Sequence, residues 1–185
     1  LPHAQINPVD NYAYCNKETF GGVNFSTKNT DGITHYEWTN SNSLIGLSGS
    51  GVGNISAFKL TNNTDSIITA HISVTAIYEN HGISQRSNPE SFIIQVKPTP
   101  RVIVSGTTSV CAGNEEPVVT FTGTNGVMPY TFIYQINNGE VQSISTSNNN
   151  RSVSFSIPTH DPGKYVYKVL SVSDAANICA NYRQD

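Results

Sequence analysis

A regular alternation of apolar and polar side chains constrains the fold of this chain more than any other feature. In the segment 67–78, every second position from 68 to 78 is apolar or aromatic. Because successive side chains of a β-strand point to opposite faces, a period of two predicts strands with one buried face. The pattern recurs about every ten residues between Gly, Asn and Pro, so we predict an all-β chain without long helices. The predicted strands lie near Tyr12–Cys15, Gly22–Ser26, Ile33–Asn40, Ile55–Thr61, Ile67–Tyr78, Ser91–Val96, Val102–Val104, Val118–Thr122, Tyr130–Asn137, Val141–Ser145, Val153–Ile157 and Lys164–Ser173.

A pair of prolines divides the sequence into two parts that repeat this pattern. Pro98 and Pro100 fix φ and remove backbone donors, which is typical of a stiff joint between domains. About six or seven short strands on each side match the size and strand count of an immunoglobulin-like sandwich. We predict a first β-sandwich over residues 1–98, a linker over 99–101 and a second β-sandwich over 102–185. Few residues follow Cys179, so the second sandwich should have a short last strand.

The solubility of this chain depends on uncharged polar side chains rather than on charges. It contains 21 Asn, 21 Ser and 18 Thr, about 32% of all residues, whereas 12% are charged. Ten Lys and Arg against 13 Asp and Glu provide no basic surface for nucleic acid or for an anionic membrane. No stretch approaches the ~20 apolar residues that a membrane span requires. We therefore expect no nucleic-acid partner and no membrane insertion of this segment.

Motifs that carry catalytic chemistry are weak in this sequence. Gly46–Ser50 is close to a nucleophile elbow but ends in Ser where that turn requires Gly. The five histidines are scattered, and no two carboxylates lie two positions apart on one strand face. Asp10, Asp161 and Asp174 are isolated, so a structural calcium ion is the less favoured alternative. We expect no catalytic residues, no metal site, no cofactor and no enzymatic activity.

The aromatic residues leave two interpretations open. Trp38 follows Tyr36 at a period of two, so their side chains share one face of a strand. Tryptophan in a middle strand of a sandwich usually belongs to the core, so we take Trp38 as a core marker rather than as a sugar-stacking platform. Exposed tyrosines that contact sugar or another surface are expected among Tyr12, Tyr130, Tyr134, Tyr165 and Tyr167.

Several motifs resemble those of a family of bacterial surface repeats. In the first half they are Tyr36–Asn40, Ile45–Leu47, Ser50–Gly53 and Phe92–Pro100, and in the second half Ser109–Gly113, Pro129–Phe132, Ile136–Gly139, Gly163–Tyr167 and Val172–Asp174. They resemble the PKD-like domains, and a companion immunoglobulin-like repeat, of giant cell-surface proteins of Bacteroidetes. The resemblance implies a stalk segment of a mobile gliding-motility adhesin that is exported by the type IX secretion system. It also implies neighbouring repeats of the same chain as partners, with surface polysaccharide as a further candidate.

The resemblance assigns the three cysteines, whose spacing alone allows at most one pair within the chain. Cys111 and Cys179 bracket the second half as the paired cysteines of that repeat type do, so it implies a disulfide between them. Two buried thiols are the alternative. The first repeat type usually has a partner for its early cysteine near Ile83, and this sequence has none there. Cys15 is therefore expected to be a free, buried thiol.

A short tripeptide adds one candidate modification site. Asp65-Ser66-Ile67 resembles the O-glycosylation signal of exported Bacteroidetes proteins, which makes Ser66 the candidate residue. The same three residues also occur often by chance.

Two function classes follow from the sequence, and both lie outside the cell. The first is a non-catalytic shaft segment of a cell-surface adhesin, cut from a longer exported chain whose signal peptide lies elsewhere. The alternative is a carbohydrate-binding or accessory module of a secreted glycan-degrading enzyme. That alternative predicts a row of exposed aromatic rings or a shallow groove, whereas a shaft predicts neither.

Overall fold

The computed structural model describes residues 3–106, 108–147, 149–176 and 179. Its regular structure consists of strands and one short 3-10 helix, Ser43–Ile45, and no α-helix occurs in these ranges. The prediction of an all-β fold of immunoglobulin-like sandwiches is confirmed. The strands are β1 (Tyr12–Cys15), β2 (Thr19–Phe20), β3 (Ile33–Asn40), β4 (Ser50–Val52), β5 (Phe58–Lys59), β6 (Ile68–Asn80), β7 (Ile83–Arg86), β8 (Glu90–Lys97), β9 (Arg101–Ser105), β10 (Val118–Thr124), β11 (Thr131–Ile136), β12 (Gln142–Ser145), β13 (Ser152–Ser156) and β14 (Tyr167–Ser173).

The chain forms two compact units. The first comprises Leu1–Asn63 and Ile67–Lys97, and the second comprises Thr64–Ser66 and Pro98–Asp185. Strand β9 of the second unit begins at Arg101, the last residue of the linker that the sequence predicts. The predicted short last strand falls on residues 180–185, which lie outside the described part of the chain.

The first unit is built on one large sheet. Its strands lie in the order β1-β8-β6-β3-β4, and β7 pairs with the end of β6. Strand β1 runs parallel to β8, whereas the other pairs of this sheet are antiparallel. The short pair β2–β5 and a bridge between Val23 and Ile55 form a second, smaller layer. Buried residues of both layers pack into one core.

The alternation in the sequence is realised in β6, the central strand of this sheet. Ala70, Ile72, Val74 and Ala76 are completely buried, whereas the residues between them lie on the more exposed face. Burial of a valine or isoleucine side chain contributes about 1.5–3 kcal/mol relative to exposure. A register slip of one residue would turn this set of side chains to solvent, so the buried face fixes the strand register.

The second unit is a sandwich of two three-stranded antiparallel sheets. One has the order β13-β10-β9 and the other β12-β11-β14. The first, second and fifth strands of the unit share one sheet, and the third, fourth and sixth share the other, which is the division found in immunoglobulin-like sandwiches. The core between them contains Val102, Phe121, Tyr130, Phe132, Tyr134, Val169 and Val172.

An Asn-Asn-Gly turn joins β11 to β12, as the sequence predicts. Asn137 and Asn138 have φ angles of 52° and 57°, and the Gly139 N–H donates to the Ile136 carbonyl at 2.8 Å. Two successive positive φ angles define the tight turn that matches the twist of a hairpin. The Asn137 side-chain oxygen also accepts a hydrogen bond from the Val166 N–H at 2.8 Å, which holds the chain just before β14 against this turn.

The predicted cysteine pairing is wrong. Cys111 is a free, exposed thiol, and Cys15 and Cys179 are disulfide-bonded. Since the chain has three cysteines, the bond joins Cys15 to Cys179 instead of Cys111 to Cys179, and Cys15 is not the free thiol. Spacing along the chain cannot show which cysteines meet in space. Cys111 lies in an exposed turn closed by a hydrogen bond from the Asn114 N–H to the Cys111 carbonyl, whereas Cys179 is buried.

Candidate functional site

Trp38, the predicted core marker, lies inside the first unit. It is 6% exposed and belongs to the hydrophobic core. Its ring occupies space above Gly51 on the neighbouring strand, where a Cβ atom would stand 2.2 Å from Trp38 Cζ2. The indole N–H has no hydrogen-bond partner. A buried ring in this position fills the core and offers no stacking surface to a sugar.

The five candidate surface tyrosines differ in their exposure. Tyr130 and Tyr134 are buried in the core of the second unit, and Tyr12 and Tyr167 are partly buried against the cores of the first and second units. Tyr165 is 40% exposed. Among the Phe, Trp and Tyr residues of the described ranges, it is the one that is exposed; the others are buried or partly buried.

Ser66, the candidate modification site, is exposed in a turn. Its N–H donates to the Thr64 hydroxyl at 3.3 Å, and that hydroxyl donates to the Ser66 carbonyl at 2.9 Å. The preceding Asp65 accepts a hydrogen bond from the Asn125 N–H at 3.1 Å and lies 3.8 Å from the Arg151 guanidinium. Asp65 and Ser66 of the motif therefore belong to a hydrogen-bonded surface of the second unit, whereas Ile67 belongs to the first unit.

The residues considered for catalysis do not come together. Gly46 ends the short 3-10 helix in a left-handed conformation with φ of 96°, and Ser48 donates its hydroxyl proton to the Ser50 carbonyl at 2.9 Å. Within residues 3–106, 108–147, 149–176 and 179, no group of three His, Cys, Asp or Glu side chains could hold a metal ion. In those same ranges, no helix is long and apolar enough to cross a membrane.

A polar cluster that the sequence did not reveal closes one end of the second core. Asp174 is 8% exposed, and its carboxylate accepts a hydrogen bond from the Val127 N–H at 3.0 Å. Beside it, the buried Tyr130 hydroxyl donates to the Gly126 carbonyl at 2.7 Å and accepts from Arg151 at 3.3 Å. Burial raises the pKa of Tyr130 above its usual 10.0, with Arg151 opposing the rise and Asp174 adding to it. Each buried polar atom of this cluster has a partner, so its role is structural.

A cleft of about 680 Å³ lies in the second unit. One wall contains the end of β9 and the segment 108–112, and the other contains residues 157–159 and 161–167. Its apolar lining includes Val104, Val119 and Ile157. Its volume is within the range of about 300–1,000 Å³ that is typical of small-molecule sites.

Hydrogen bonds between the loops hold the two walls of the cleft in place. The Gly113 N–H donates to the Thr159 carbonyl at 3.1 Å, and the Thr159 hydroxyl donates to the Asn114 carbonyl at 2.7 Å. Gly106 has φ of 111°, and a Cβ there would lie 2.1 Å from the Val118 carbonyl oxygen. Only glycine fits this position, which turns the chain out of β9 into the cleft wall.

Two stacked tyrosines extend from the core of the second unit to the lining of the cleft. Tyr134 and Tyr167 stack with ring centroids 6.2 Å apart. Burial raises the pKa of Tyr167, and interactions with Tyr134 and Tyr165 raise it further. Tyr165 lies at the cleft, where its hydroxyl donates to the Asp161 carbonyl at 3.3 Å.

The charges at the cleft balance one another. Among its lining residues, Asp161 and Lys164 carry the full charges, one of each sign. The Asp161 carboxylate is 3.0 Å from His160 Nε2. The remaining polar groups are hydroxyls and the Cys111 thiol. The cleft is therefore suited to an uncharged ligand with apolar and hydrogen-bonding groups.

Comparison with known proteins yields structural likeness alone. No protein-family model matches the chain, and no curated protein is significantly similar to it. The crystal structure of CBD12 from CALX1.2 has a TM-score of 0.34 and 11% identity, over 94% of this chain and 82% of that one. The fibronectin(III)-like modules of Clostridium thermocellum CbhA have a TM-score of 0.31 and 16% identity, over 96% and 88% of the two chains. Function must therefore be argued from the chain itself.

Proposed function

We propose that this chain is a non-catalytic repeat segment of a large cell-surface adhesin, in which it acts as part of an extracellular shaft. The motifs that resemble those of giant surface proteins of Bacteroidetes support this role, and the flavobacterial gliding-motility adhesin SprB is the kind of parent protein that we propose. Neighbouring repeats of the same chain would be its principal partners. The disulfide between Cys15 and Cys179 agrees with an extracellular location, because such bonds persist in oxidising compartments.

The observation that carries this proposal is the way the polar side chains of the second unit bond to one another. Across β10 and β13, Thr120 pairs with Ser154 at 2.9 Å and Thr122 pairs with Ser152 at 2.8 Å. On the other sheet, Thr131 pairs with Ser145 at 2.8 Å. Cross-strand pairs of this kind stabilise the sheet and engage the hydroxyls that would otherwise attract partners. These hydroxyl pairs also carry no charge, which suits a spacer that resists nonspecific ionic attachment.

The aromatic residues support the same role. Trp38 in the first unit and Tyr130 and Tyr134 in the second are enclosed in cores rather than arranged as a flat platform for polysaccharide. Large rings buried among other rings stiffen a small sandwich, because aromatic contacts add about 0.5–1.5 kcal/mol per pair beyond their buried area. A shaft that transmits force between a cell and a surface requires modules that resist unfolding.

A module exchange in the parent protein tests the shaft role. We expect an unrelated pair of β-sandwiches of the same length, inserted in place of this segment, to preserve attachment and movement of the cells. Deletion of the segment serves as the comparison, and antibodies against the segment should label intact cells. Loss of attachment after the exchange, with the protein still displayed at normal levels, would show that this segment itself makes the adhesive contact.

A further inference from the structure

The cleft of the second unit offers a function that a spacer does not need. We propose that it binds a short segment of an uncharged glycan, with one sugar ring stacked on Tyr165. The inference goes beyond the shaft role, and a segment that failed to bind glycan would leave that role intact. It depends on the lining and the charge of the cleft and on the exposed ring of Tyr165.

The lining of the cleft matches the two kinds of surface that a sugar presents. The apolar lining contains Val104, Val119 and Ile157, and hydroxyl groups, such as those of Ser105 and Thr159, are also among the lining residues. A pyranose ring has an apolar face of C–H groups and an edge of hydroxyls, so it can contact both. Small-molecule sites commonly combine an apolar surface with a few polar groups that fix orientation.

Exposed apolar side chains in the lining of the cleft provide apolar surface that a ligand can remove from water. Val104, Val110 and Val166 are 46%, 47% and 47% exposed, and all three line it. Each square ångström of apolar surface removed from water contributes about 25 cal/mol. An uncharged ligand gains this contribution without the cost of desolvating an ion.

The charges of the cleft favour an uncharged glycan over the acidic polymers that cells also display. Asp161 and Lys164 bring one negative and one positive charge to the lining, so the cleft has no excess of either. An acidic glycan would bring its carboxylates towards Asp161 and would gain from Lys164 alone. The balance favours a neutral ligand.

Tyr165 supplies the stacking surface. Its hydroxyl is held by the Asp161 carbonyl, and a Cβ on Gly163 would lie 3.8 Å from Tyr165 Cε2. The turn Pro162-Gly163 lies beside the ring, and 40% of the residue remains exposed. A tyrosine side chain has two χ angles, so it loses little conformational freedom when a ligand stacks on it.

Titration of the intact chain with trisaccharides tests this site. The probes are laminaritriose, cellotriose, xylotriose and mannotriose, with trigalacturonic acid as the acidic comparison. We expect at least one neutral probe to shift the NMR amide signals of 104–106, 108–112 and 157–167, and to slow alkylation of the Cys111 thiol in the cleft. Tyr165→Ala should weaken that binding about tenfold, as expected for loss of one aromatic contact of about 1.4 kcal/mol.

Tyr165→Phe is the matched control, because it keeps the ring and removes the hydroxyl. Because the ring face and not the hydroxyl makes the stacking contact, it should bind within about twofold of the unmodified chain, and near-ultraviolet circular dichroism should show that both variants are folded. Three results would overturn the proposal: no signal shift with any neutral probe, shifts confined to residues outside the cleft, or equal binding by Tyr165→Ala. Binding of trigalacturonic acid alone would also overturn it, since the site would then select charge.

Discussion

Trp38 and Gly51 lie directly opposite each other in the antiparallel pair β3–β4, and the indole ring occupies the volume that a side chain at position 51 would need. A Cβ at Gly51 would stand 2.2 Å from Trp38 Cζ2 and 2.6 Å from Cε2. A similar close approach occurs in the second unit, where Gly123 on β10 faces a ring that does not belong to its own sheet, and a Cβ on Gly123 would lie 2.3 Å from the Tyr130 ring. In each sandwich, a strand glycine leaves room for a large buried ring.

Gly51→Ala should therefore destabilise the first unit. The methyl group displaces a ring that is 6% exposed, and overpacking of this kind costs typically about 1–3 kcal/mol. Urea unfolding followed by fluorescence measures the change, because Trp38 is the sole tryptophan of the chain. Gly49→Ala is the control, since nothing lies within 4 Å of a Cβ at that position. Equal unfolding midpoints for the two variants would contradict the position of the ring.

Asp174→Ala should destabilise the second unit by about 1–3 kcal/mol, because it leaves the Val127 N–H without its acceptor beside a buried core. Asp65→Ala removes another carboxylate that accepts a backbone N–H. Its side chain is 57% exposed, so water replaces the lost contact and the expected change is within about 0.5 kcal/mol. Thermal unfolding of both variants measures the difference. A larger effect at Asp65 than at Asp174 would argue against the buried cluster.

Local patterns in the sequence were sufficient to predict much of the fold. The strands Tyr12–Cys15 and Ile33–Asn40 occur with the predicted bounds, because alternation and flanking turn residues act within a few positions. The Asn137-Asn138 turn follows from the tolerance of asparagine for positive φ. In contrast, the predicted strand Gly22–Ser26 is reduced to the bridge at Val23. Gly22 has φ of 88° there, and the chain bends while its apolar residues remain buried.

Features that depend on contacts between residues far apart in the sequence could not be predicted from local patterns. The strand β7 was missed because its pairing with β6 follows from the hairpin at His81 and Gly82 rather than from a pattern of its own. The cleft joins segments about 50 positions apart in sequence, and no single segment carries a signature of it. The predicted cysteine pairing is wrong for the same reason. The resemblance implied that Cys111 is the partner of Cys179, whereas in the structure the partner is Cys15.

Stability should fall in alkaline solution. Burial raises the pKa of Tyr36, Tyr130 and Tyr167 above 10.0, so the folded chain keeps these phenols neutral where the unfolded chain begins to ionise. The unfolded state then binds fewer protons than the folded state. The contribution of these groups is complete below about pH 10 and is lost as the pH rises through their folded values. Urea midpoints at about pH 9 and pH 11, with tyrosinate absorbance as the second signal, measure this loss.

Tyr36→Phe isolates one of these groups. The variant removes an ionisable phenol that packs against the first core. It keeps the aromatic ring, whose centroid lies 5.5 Å from that of Phe25. Its urea midpoint should fall less between about pH 9 and pH 11 than that of the unmodified chain. An equal fall in both proteins would mean that Tyr36 ionises alike in the folded and unfolded states.

A tryptic map without reduction should recover residues 1–17 covalently joined to 169–183, which contain Cys15 and Cys179. Iodoacetamide should modify Cys111 in the folded protein, because that thiol is free and exposed, and should leave the other two cysteines unmodified.

A bond that spans positions 15 to 179 restricts the unfolded chain by roughly 5 kcal/mol in the chain-entropy model, so reduction should lower the urea midpoint. Cys111→Ser should keep both the joined peptides and the midpoint, whereas Cys15→Ser should make Cys179 reactive. Recovery of the peptide 102–151 joined to 169–183 would instead restore the pairing that the sequence resemblance implies.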